Sequence, residues 1–285
     1  MKKISEVLAI AAAILAVSSC GTGKKSVQGV SGNFPDINQK GKTAVVAHRG
    51  FWNCPEGGGS QNSIASLKAA QDFGFWGSEC DIHITSDDVI ILNHDDDING
   101  KLIWDHRYSD FDNDLLPNGE KHPTFEQYLR QVAGCRTTVA VIEFKIQKNH
   151  EREDKMVNGA VALLRKYGLY DPDRVIFISF SRHICQKIAR EHPRFVNQYL
   201  SGKVSPAVLA QEKINGIDYE HPDFRLWPEF VAAAHQRGMS VNVWTVNDEQ
   251  TATDMIQLGV DAITTNEPLM LRRLLGNREF RKTSR

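Results

Sequence analysis

Gly77-Ser78-Glu79-Cys80-Asp81-Ile82-His83-Ile84-Thr85 has the alternation of a β-strand with two chemically different faces. Successive side chains of a strand point to opposite sides, so Glu79 and Asp81 share one face while Cys80 and the isoleucines share the other. Two neighbouring carboxylates repel each other unless a cation or a shared proton compensates. This stretch therefore predicts a strand that carries part of a cation site.

Strand-like and helix-like segments alternate on both sides of this stretch. Eight short apolar or β-branched runs are present, at 43–47, 78–84, 138–145, 175–180, 195–200, 216–219, 240–246 and 262–265. Apolar residues with helical spacing lie between several of them, at 62–73, 153–167, 228–236 and 250–258. Eight such units in a chain of this length predict an α/β fold, namely a (β/α)8 TIM barrel.

The interval between the second and third predicted strands is longer than an ordinary loop. It contains an extra apolar run at 89–93, several turn formers, and a segment at 124–132 that we interpret as a helix. Connections of this length are usually functional. We therefore expect an elaborated connection between the second and third strands, at the end of the barrel where the C-terminal ends of the strands carry the chemistry.

The first residues are typical of an exported protein. Lys2 and Lys3 precede an apolar run at 7–17, which is too short to span a bilayer as a stable helix, and small residues then lead to Cys20. This resembles a bacterial lipobox, which implies cleavage before Cys20 and attachment of lipid to its thiol. An ordinary secretory signal and an uncleaved anchor are the alternatives.

Four segments of the chain follow from these signals. We predict a lipoprotein signal peptide at 1–19, a flexible tether at 20–42, the barrel at 43–276 and a polar C-terminal tail at 277–285. The expected location is the bacterial cell envelope, facing the periplasm or the outer surface. The protein would be held to a membrane by the lipid on Cys20.

The composition describes an ordinary globular protein. The 285 residues carry a formal net charge of -1, are 41% hydrophobic and 24% charged, and contain no long run of lysine or arginine. Nucleic-acid binding leaves a basic footprint in a sequence, so we expect no nucleic-acid partner. Any phosphate group that this chain handles is expected on a small molecule, met by a few placed cations.

The cysteines outside the lipobox are widely spaced. They are Cys54, Cys80, Cys135 and Cys185. Their spacing resembles no small disulfide framework, so their pairing stays open. Cys80 alternates away from the carboxylates, which predicts a packed thiol.

A second charged pair repeats the pattern of the first. In Val141-Ile142-Glu143-Phe144-Lys145, alternation places Glu143 and Lys145 on one face of a strand end. Glu143 could complete a three-carboxylate site, and all-oxygen ligation favours Mg²⁺ or Ca²⁺ over Zn²⁺. Lys145, beside that cation, could hold a phosphate oxygen. The alternative is a plain ion pair between Glu143 and Lys145 at the barrel mouth.

Two histidines follow predicted strands near these carboxylates. His48 and Arg49 come directly after the run at 43–47, and His94 follows the run at 89–93. A single histidine in such a position is often structural or exposed. Two histidines beside an acidic cluster at strand ends favour a base and an acid that flank a metal-bound phosphate, with Arg49 neutralising charge on phosphorus.

These motifs occur in an order that identifies a family. They are His48-Arg49-Gly50, Asn62-Ser63, Glu79-x-Asp81, His94-Asp95, Pro123-Thr124, Glu143-x-Lys145, Ser179-Phe180, Trp244-Thr245-Val246-Asn247 and Thr264-Thr265-Asn266-x-Pro268. Together they resemble the glycerophosphodiester phosphodiesterase family over about 43–275. The resemblance implies a TIM barrel whose Glu79, Asp81 and Glu143 hold one divalent cation, with His48 and His94 as the catalytic acid and base.

The same resemblance implies a substrate and a reaction. Arg49 and Lys145 would contact the phosphate, and Trp244 would line the glycerol side. The implied substrate is a small-molecule glycerophosphodiester, hydrolysed to glycerol 3-phosphate and an alcohol after attack by the neighbouring glycerol hydroxyl. The chain departs from the family at 60–63, where Ser-Gln-Asn-Ser replaces Pro-Glu-Asn-Thr, and after His94, where an acidic stretch replaces a basic residue and two threonines.

Two other functions remain open from the sequence. One is a phospholipase C-like or D-like enzyme that cleaves intact phospholipids, and the other is a lipid-tethered protein that binds glycerophosphodiesters without turnover. The acidic stretch Asp95-x-Asp97-x-Asn99-Gly100 resembles the start of an EF-hand loop, but His106 stands where the bidentate glutamate belongs. We interpret it as a solvated turn.

Overall fold

A closed barrel of parallel strands forms the centre of the molecule. The computed structural model describes residues 43–276, so the predicted signal peptide, the tether with Cys20 and the C-terminal tail lie outside the described residues. The strands are β1 (Ala44–Ala47), β2 (Gly77–Ile84), β3 (Ile90–Leu92), β4 (Asp97–Ile98), β5 (Lys101–Leu102), β6 (Val139–Phe144), β7 (Val175–Ser179), β8 (Val196–Tyr199), β9 (Gly216–Glu220), β10 (Ser240–Trp244) and β11 (Ala262–Thr265). Strand β1 pairs in parallel with both β2 and β11, which closes the barrel. The predicted (β/α)8 TIM barrel is confirmed.

Helices follow the barrel strands and cover the outside of the barrel. They are α1 (Ile64–Asp72), α2 (Phe125–Ala133), α3 (His150–Lys166), α4 (Arg182–Glu191), α5 (Pro206–Gln211), α6 (His221–Leu226), α7 (Glu229–His235), α8 (Glu249–Leu258) and α9 (Pro268–Leu274). Side-chain caps define several starts: Ser63, Thr124 and Asp248 each accept a hydrogen bond from the backbone three residues later. The apolar spacing predicted α1, α2, α3, α7 and α8 within a few residues.

Alternation along the strands separates two apolar regions. Outward side chains such as Val45 and Ile142 pack against the helices. Inward side chains such as Val46 and Val141 fill the barrel below its mouth. Because the same alternation continues to the strand ends, the charged residues that follow the inward apolar ones lie at the mouth.

The elaborated connection after β2 is confirmed. Strand β2 continues beyond the end of β1, and its upper half pairs antiparallel with β3, with Ile82 opposite Leu92. A two-stranded hairpin of β4 and β5 follows, and it packs with two short 3-10 helices around Ile91, Ile98 and Phe111. Asp97 accepts a hydrogen bond from the Gly100 amide at 2.8 Å in the exposed hairpin turn, as expected for the acidic stretch.

The connection also holds the start of helix α1. Both carboxylate oxygens of Glu120 accept hydrogen bonds from that helix, from the Ile64 amide at 2.9 Å and the Ala65 amide at 3.1 Å. An anion at this position satisfies free amides and interacts favourably with the helix dipole. The backbone amide of Asn118 donates to Ser60 Oγ at 2.9 Å in the adjacent loop. These contacts order the loop between β1 and α1, which reaches into the barrel mouth.

The cysteines are packed rather than paired. Within residues 43–276, Cys54, Cys80, Cys135 and Cys185 are all free thiols. Cys80 is fully buried on the outward face of β2, as its alternation predicted. Within residues 43–276 no helix has the length and hydropathy needed to cross a bilayer.

A polar layer interrupts the apolar interior below one side of the mouth. Asp218 on β9 lies beside Asn242 on β10, and both are almost fully buried. The side-chain Nδ2 of Asn242 donates to Thr264 Oγ1 at 2.8 Å. The Oδ1 atoms of Asp218 and Asn242 have no hydrogen-bond partner among the described residues. Burial raises the pKa of Asp218 to about 7. A protonated Asp218 therefore fits this layer better than a carboxylate does.

We expect Asp218→Asn to change the pH dependence of stability. The folded protein keeps the Asp218 proton up to about pH 7, whereas the unfolded chain loses it near an ordinary carboxyl pKa of about 4. Stability should therefore fall across that window and level off above it, by about 4 kcal/mol in total. Urea unfolding should show Asp218→Asn more stable than the parent at pH 8 and similar at pH 4. The exposed Asp96→Asn serves as control, and parallel pH profiles for Asp218→Asn and the parent would contradict the assignment.

Candidate active site

Three buried carboxylates meet at the barrel mouth. Glu79 and Asp81 lie on β2, and Glu143 lies on β6 directly opposite Asp81 in the parallel register. One oxygen from each residue lies within 4.8 Å of the other two, and the three residues are 3%, 1% and 8% exposed. The structure thus brings together all three residues that the sequence predicted as metal ligands.

The free oxygen atoms and charges of this cluster fit a divalent cation. Glu79 Oε1 accepts no hydrogen bond from any of residues 43–276. Burial, Asp81 and Glu143 raise the pKa of Glu79 well above its ordinary value. Burial and then Asp81 raise the pKa of Glu143 to about 8. Three close oxygen donors, two of which resist ionisation without a cation, suit a hard metal ion, whose binding would displace the protons of Glu79 and Glu143.

Asp81 is the carboxylate with the most partners. Burial alone raises its pKa, but Lys145, a hydrogen bond from Asn62 and the charge of Arg49 outweigh burial, so the pKa of Asp81 is lowered. The Asn62 side chain donates to Asp81 Oδ2 at 2.8 Å and accepts from the Asp81 amide at 3.0 Å. Asp81 therefore stays ionised, and Asn62 fixes its orientation.

Lys145 lies within the carboxylate cluster. Its Nζ is 2.9 Å from Glu143 Oε1 and 3.4 Å from Asp81 Oδ1. Burial lowers the pKa of Lys145, but the two carboxylates outweigh burial and raise it, so the ammonium remains charged. The ion pair that the sequence left open is present, and it places a cation at the edge of the proposed metal site.

Arg49 joins the loop after β1 to the cluster. Its φ of 55° lies in the left-handed region, which is uncommon for a side chain of this size and is often found at functional sites. In this conformation its amide donates to Glu79 Oε2 at 2.7 Å, and its guanidinium Nε lies 3.5 Å from Asp81 Oδ2. The guanidinium also donates to Gln61 Oε1 at 2.6 Å. Gln61, which replaces the family's glutamate, thus orients Arg49 without neutralising it.

His48 has one ring nitrogen fixed by a distant residue. Its Nδ1 lies 2.8 Å from Asn266 Oδ1, at the end of β11. With that oxygen facing it, Nδ1 donates and Nε2 carries the free lone pair. Burial, followed by the charge of Arg49, lowers the pKa of His48 to about 4. The ring is neutral at pH 7 and can accept a proton.

His94 is the more exposed of the two predicted catalytic histidines. Its side chain is 43% exposed, and its Nδ1 lies 2.7 Å from Asp95 Oδ1. The positive charge of a protonated His94 lies close enough to act on both His48 and Asp81. The two histidines and the carboxylates therefore share one site.

An aromatic pair forms the opposite wall of the mouth. Trp244 at the end of β10 and Phe180 after β7 contact edge to face, with ring centroids 5.6 Å apart. Trp244 Nε1 donates to the Asp218 carbonyl at 3.0 Å, which fixes the indole. The predicted substrate-binding residue Trp244 therefore lies at the barrel mouth with its ring held in place.

His83 is a residue of this site for which the sequence indicated no role. It follows Glu79 and Asp81 at the next alternate position of β2 and is fully buried. Burial and then the charge of Lys145 lower its pKa to about 4. The signal was available in the spacing Glu79-x-Asp81-x-His83, since a third inward position on a strand that lines a site belongs to that site.

Fold and site together define a class of protein. A (β/α)8 barrel that carries a carboxylate cluster, cationic side chains and two histidines at the C-terminal ends of its strands is an enzyme scaffold suited to phosphate esters. The Glycerophosphoryl diester phosphodiesterase family matches residues 28–270. This chain belongs to that family and, as the sequence predicted, is a phosphoric diester hydrolase.

Similar proteins cover almost the whole barrel. A crystal structure of a glycerophosphodiester phosphodiesterase from Parabacteroides distasonis is 36% identical, covers 83% of this chain and 98% of its own, and superposes with a TM-score of 0.80. A glycerophosphodiester phosphodiesterase from Caldanaerobacter subterraneus is 26% identical over 244 residues, which are 80% of this chain and 95% of the relative. An Oleispira antarctica phosphodiesterase, solved in complex with sn-glycerol-3-phosphate, shares the fold at 19% identity, with a TM-score of 0.70 over 83% of this chain and 98% of its own.

Proposed function

We propose that this enzyme uses one divalent cation, Mg²⁺ or Ca²⁺, to hydrolyse glycerophosphodiesters to glycerol 3-phosphate and an alcohol, with His48 as base and His94 as acid. The observation that carries the proposal is the buried cluster of Glu79, Asp81 and Glu143 beside these two histidines. Such an arrangement combines charge stabilisation at phosphorus with proton transfer on both sides of it.

The metal ligands would be one oxygen from each carboxylate. A cation held there would polarise a phosphoryl oxygen and stabilise the negative charge that develops during the reaction. Oxygen-only ligation favours Mg²⁺ or Ca²⁺. Arg49 and Lys145, which already contact the cluster, would bind other phosphate oxygens, and the neutral partner Gln61 leaves the charge of Arg49 available for this.

The roles of the histidines follow from their partners. His48 is neutral at pH 7 and has a free Nε2, so it would remove the proton of the attacking hydroxyl. A bound cation nearby would lower the pKa of His48 further and so keep the ring neutral. A carboxylate can only accept, so Nδ1 of His94 donates to Asp95 Oδ1, which orients the ring. His94 would then donate the Nε2 proton to the departing alcohol.

The glycerol side of the substrate would contact Trp244 and Phe180. Their perpendicular rings offer an apolar wall for the carbon backbone of glycerol. The Oleispira antarctica phosphodiesterase was solved with sn-glycerol-3-phosphate bound, which supports the same product here. Attack of the neighbouring glycerol hydroxyl on phosphorus would expel the alcohol and form a cyclic phosphate. Water would then open the cyclic phosphate to glycerol 3-phosphate.

A metal-dependent assay tests this function. The chain that lacks residues 1–20 should release glycerol 3-phosphate from glycerophosphodiesters. It should lose this activity in EDTA and regain it with Mg²⁺ or Ca²⁺. Glycerophosphocholine, glycerophosphoethanolamine and phosphatidylcholine are compared side by side. Preference for phosphatidylcholine would favour a phospholipase, binding without release of alcohol would favour a binding protein, and full activity in EDTA would exclude the cation.

We also propose that the enzyme is a lipoprotein of the cell envelope, anchored by lipid on Cys20. The support is the sequence at 2–21, where two lysines, an apolar run and small residues precede the cysteine. Membrane fractions of cells that express the full chain should contain the enzyme, and Cys20→Ala should move it out of them. An unchanged distribution would argue against the anchor.

A further inference from the structure

The mechanism leaves one enclosed polar side chain at the site without a role. His83 lies on the inward face of β2, directly after the ligand positions Glu79 and Asp81, and none of its surface is exposed. A polar ring in such a place is expected to make hydrogen bonds that order its surroundings. Its partners therefore indicate its purpose.

The contact with Gln147 defines the protonation of the His83 ring. Gln147 Oε1 accepts from the Ile84 amide at 3.4 Å, and since a backbone amide can only donate, the oxygen of this side chain must face Ile84. The Gln147 Nε2 then faces His83 and lies 3.3 Å from its Nδ1. Because Nε2 of Gln147 can only donate, Nδ1 of His83 is the acceptor.

Gln147 also holds the chain that leaves strand β6. Its Nε2 lies 3.0 Å from the Lys145 carbonyl and 3.2 Å from the Ile146 carbonyl. The Lys145 amide donates to the Ile82 carbonyl at 3.2 Å, so this segment is tied to β2 on both sides. His83 and Gln147 thus form a link between β2 and the residue whose ammonium contacts Glu143.

The other side of the ring faces the second catalytic segment. The His94 main chain and the charges of Lys145 and Asp81 act on His83. Nε2 of His83 has no partner with hydrogen-bond geometry among residues 43–276. The ring thus stands between the segments that carry Lys145 and His94.

We propose that His83 is a positioning residue that, through Gln147, fixes the main chain at Lys145 and so directs the ammonium of Lys145 toward Glu143 and Asp81. Replacing a residue that supports the surroundings of a metal site typically costs about 10–100-fold in activity. The inference rests on the proposed function for its kinetic consequences, but the ordering of residues 144–148 is a property of the folded chain.

Two nearly isosteric replacements separate the hydrogen bond from the packing. Asparagine places its Oδ1 near the position of Nδ1, so His83→Asn keeps an acceptor for Gln147, whereas His83→Leu does not. We expect His83→Leu to lower kcat/KM by about 10-fold or more. We expect the kcat/KM of His83→Asn to remain close to that of the parent. His192→Leu, which removes a buried histidine bonded to Tyr170 at 3.0 Å, is the control and should change stability alone.

Hydrogen exchange measures the ordering directly. Amides at 144–148 should exchange faster in His83→Leu and Gln147→Leu than in the parent and His83→Asn, and the double leucine variant should be no worse than Gln147→Leu. Equal losses for His83→Asn and His83→Leu, or unchanged exchange in either leucine variant that folds, would overturn the inference. A parent without activity on any glycerophosphodiester would refute the proposed function, and the exchange result would still decide the role of His83.

Discussion

Glu79→Gln should abolish binding of the divalent cation and catalysis together, lowering kcat/KM by about a thousandfold. An amide is a weaker ligand than a carboxylate for Mg²⁺ and Ca²⁺, and Glu79 supplies the oxygen that has no other partner among residues 43–276. A cation at phosphorus contributes several kcal/mol, and each 1.36 kcal/mol corresponds to about a factor of ten in rate. Loss of one ligand from a set of three should remove most of this contribution.

The same replacement should stabilise the protein when no cation is present. The glutamine oxygen can still accept from the Arg49 backbone amide, while the cost of burying a charge and the repulsion from Asp81 and Glu143, which raise the pKa of Glu79, disappear. In EDTA the Tm of Glu79→Gln should therefore exceed that of the parent. Added Ca²⁺ should raise the Tm of the parent and leave that of the variant unchanged, because only the parent binds the ion.

Calorimetric titration with Ca²⁺ and steady-state kinetics check this expectation. Glu153→Gln is the matched control, since Glu153 is also buried and accepts a hydrogen bond from Ser181 at 3.0 Å, but it lies on α3 outside the carboxylate cluster. Its metal affinity and kcat/KM should match the parent. Cation-dependent activity in Glu79→Gln at the parental level would remove Glu79 from the ligand set.

Much of the barrel could be predicted because its signals are local. Alternation within each strand placed Glu79, Asp81 and Glu143 on inward faces, and parallel pairing of β2 with β6 then made Asp81 and Glu143 neighbours. The helices α5 and α6 could not be predicted in this way, since six residues are too few to show an apolar period.

The hydrogen-bond partners of His48 and of helix α1 could not be predicted, because they come from distant parts of the chain. Asn266 holds His48 across 218 residues, and Glu120 caps α1 across more than fifty. Side chains of this kind carry no sequence pattern, since their hydrogen bonds exist only after the barrel closes. Spacing alone gave the correct face for Lys145 but could not distinguish an ion pair from a phosphate contact.

His94→Ala and His48→Ala should both lower kcat on glycerophosphocholine, each by about a thousandfold, within the range for general acid and base catalysis. The protein should stay folded, since His94 is partly exposed and, within residues 43–276, its side chain makes one hydrogen bond, to the neighbouring Asp95. The two variants differ in what each lacks. His48→Ala lacks the neutral acceptor for the proton of the nucleophile, and His94→Ala lacks the donor for the leaving alcohol.

A substrate with a better leaving group separates these roles. The p-nitrophenyl ester of glycerol 3-phosphate releases a phenolate that needs little protonation, so His94→Ala should recover most of its kcat with it, whereas His48→Ala should stay impaired. His106→Ala is the control and should keep the parental kcat on both esters. The ring of His106 lies outside the carboxylate cluster, and its Nδ1 is 2.9 Å from the Leu102 carbonyl oxygen. The better ester makes only the protonation of the leaving group dispensable. An equal loss of kcat on the two esters in His94→Ala would therefore reject His94 as the acid. Recovery of kcat in His48→Ala alone would mean that the two roles are exchanged.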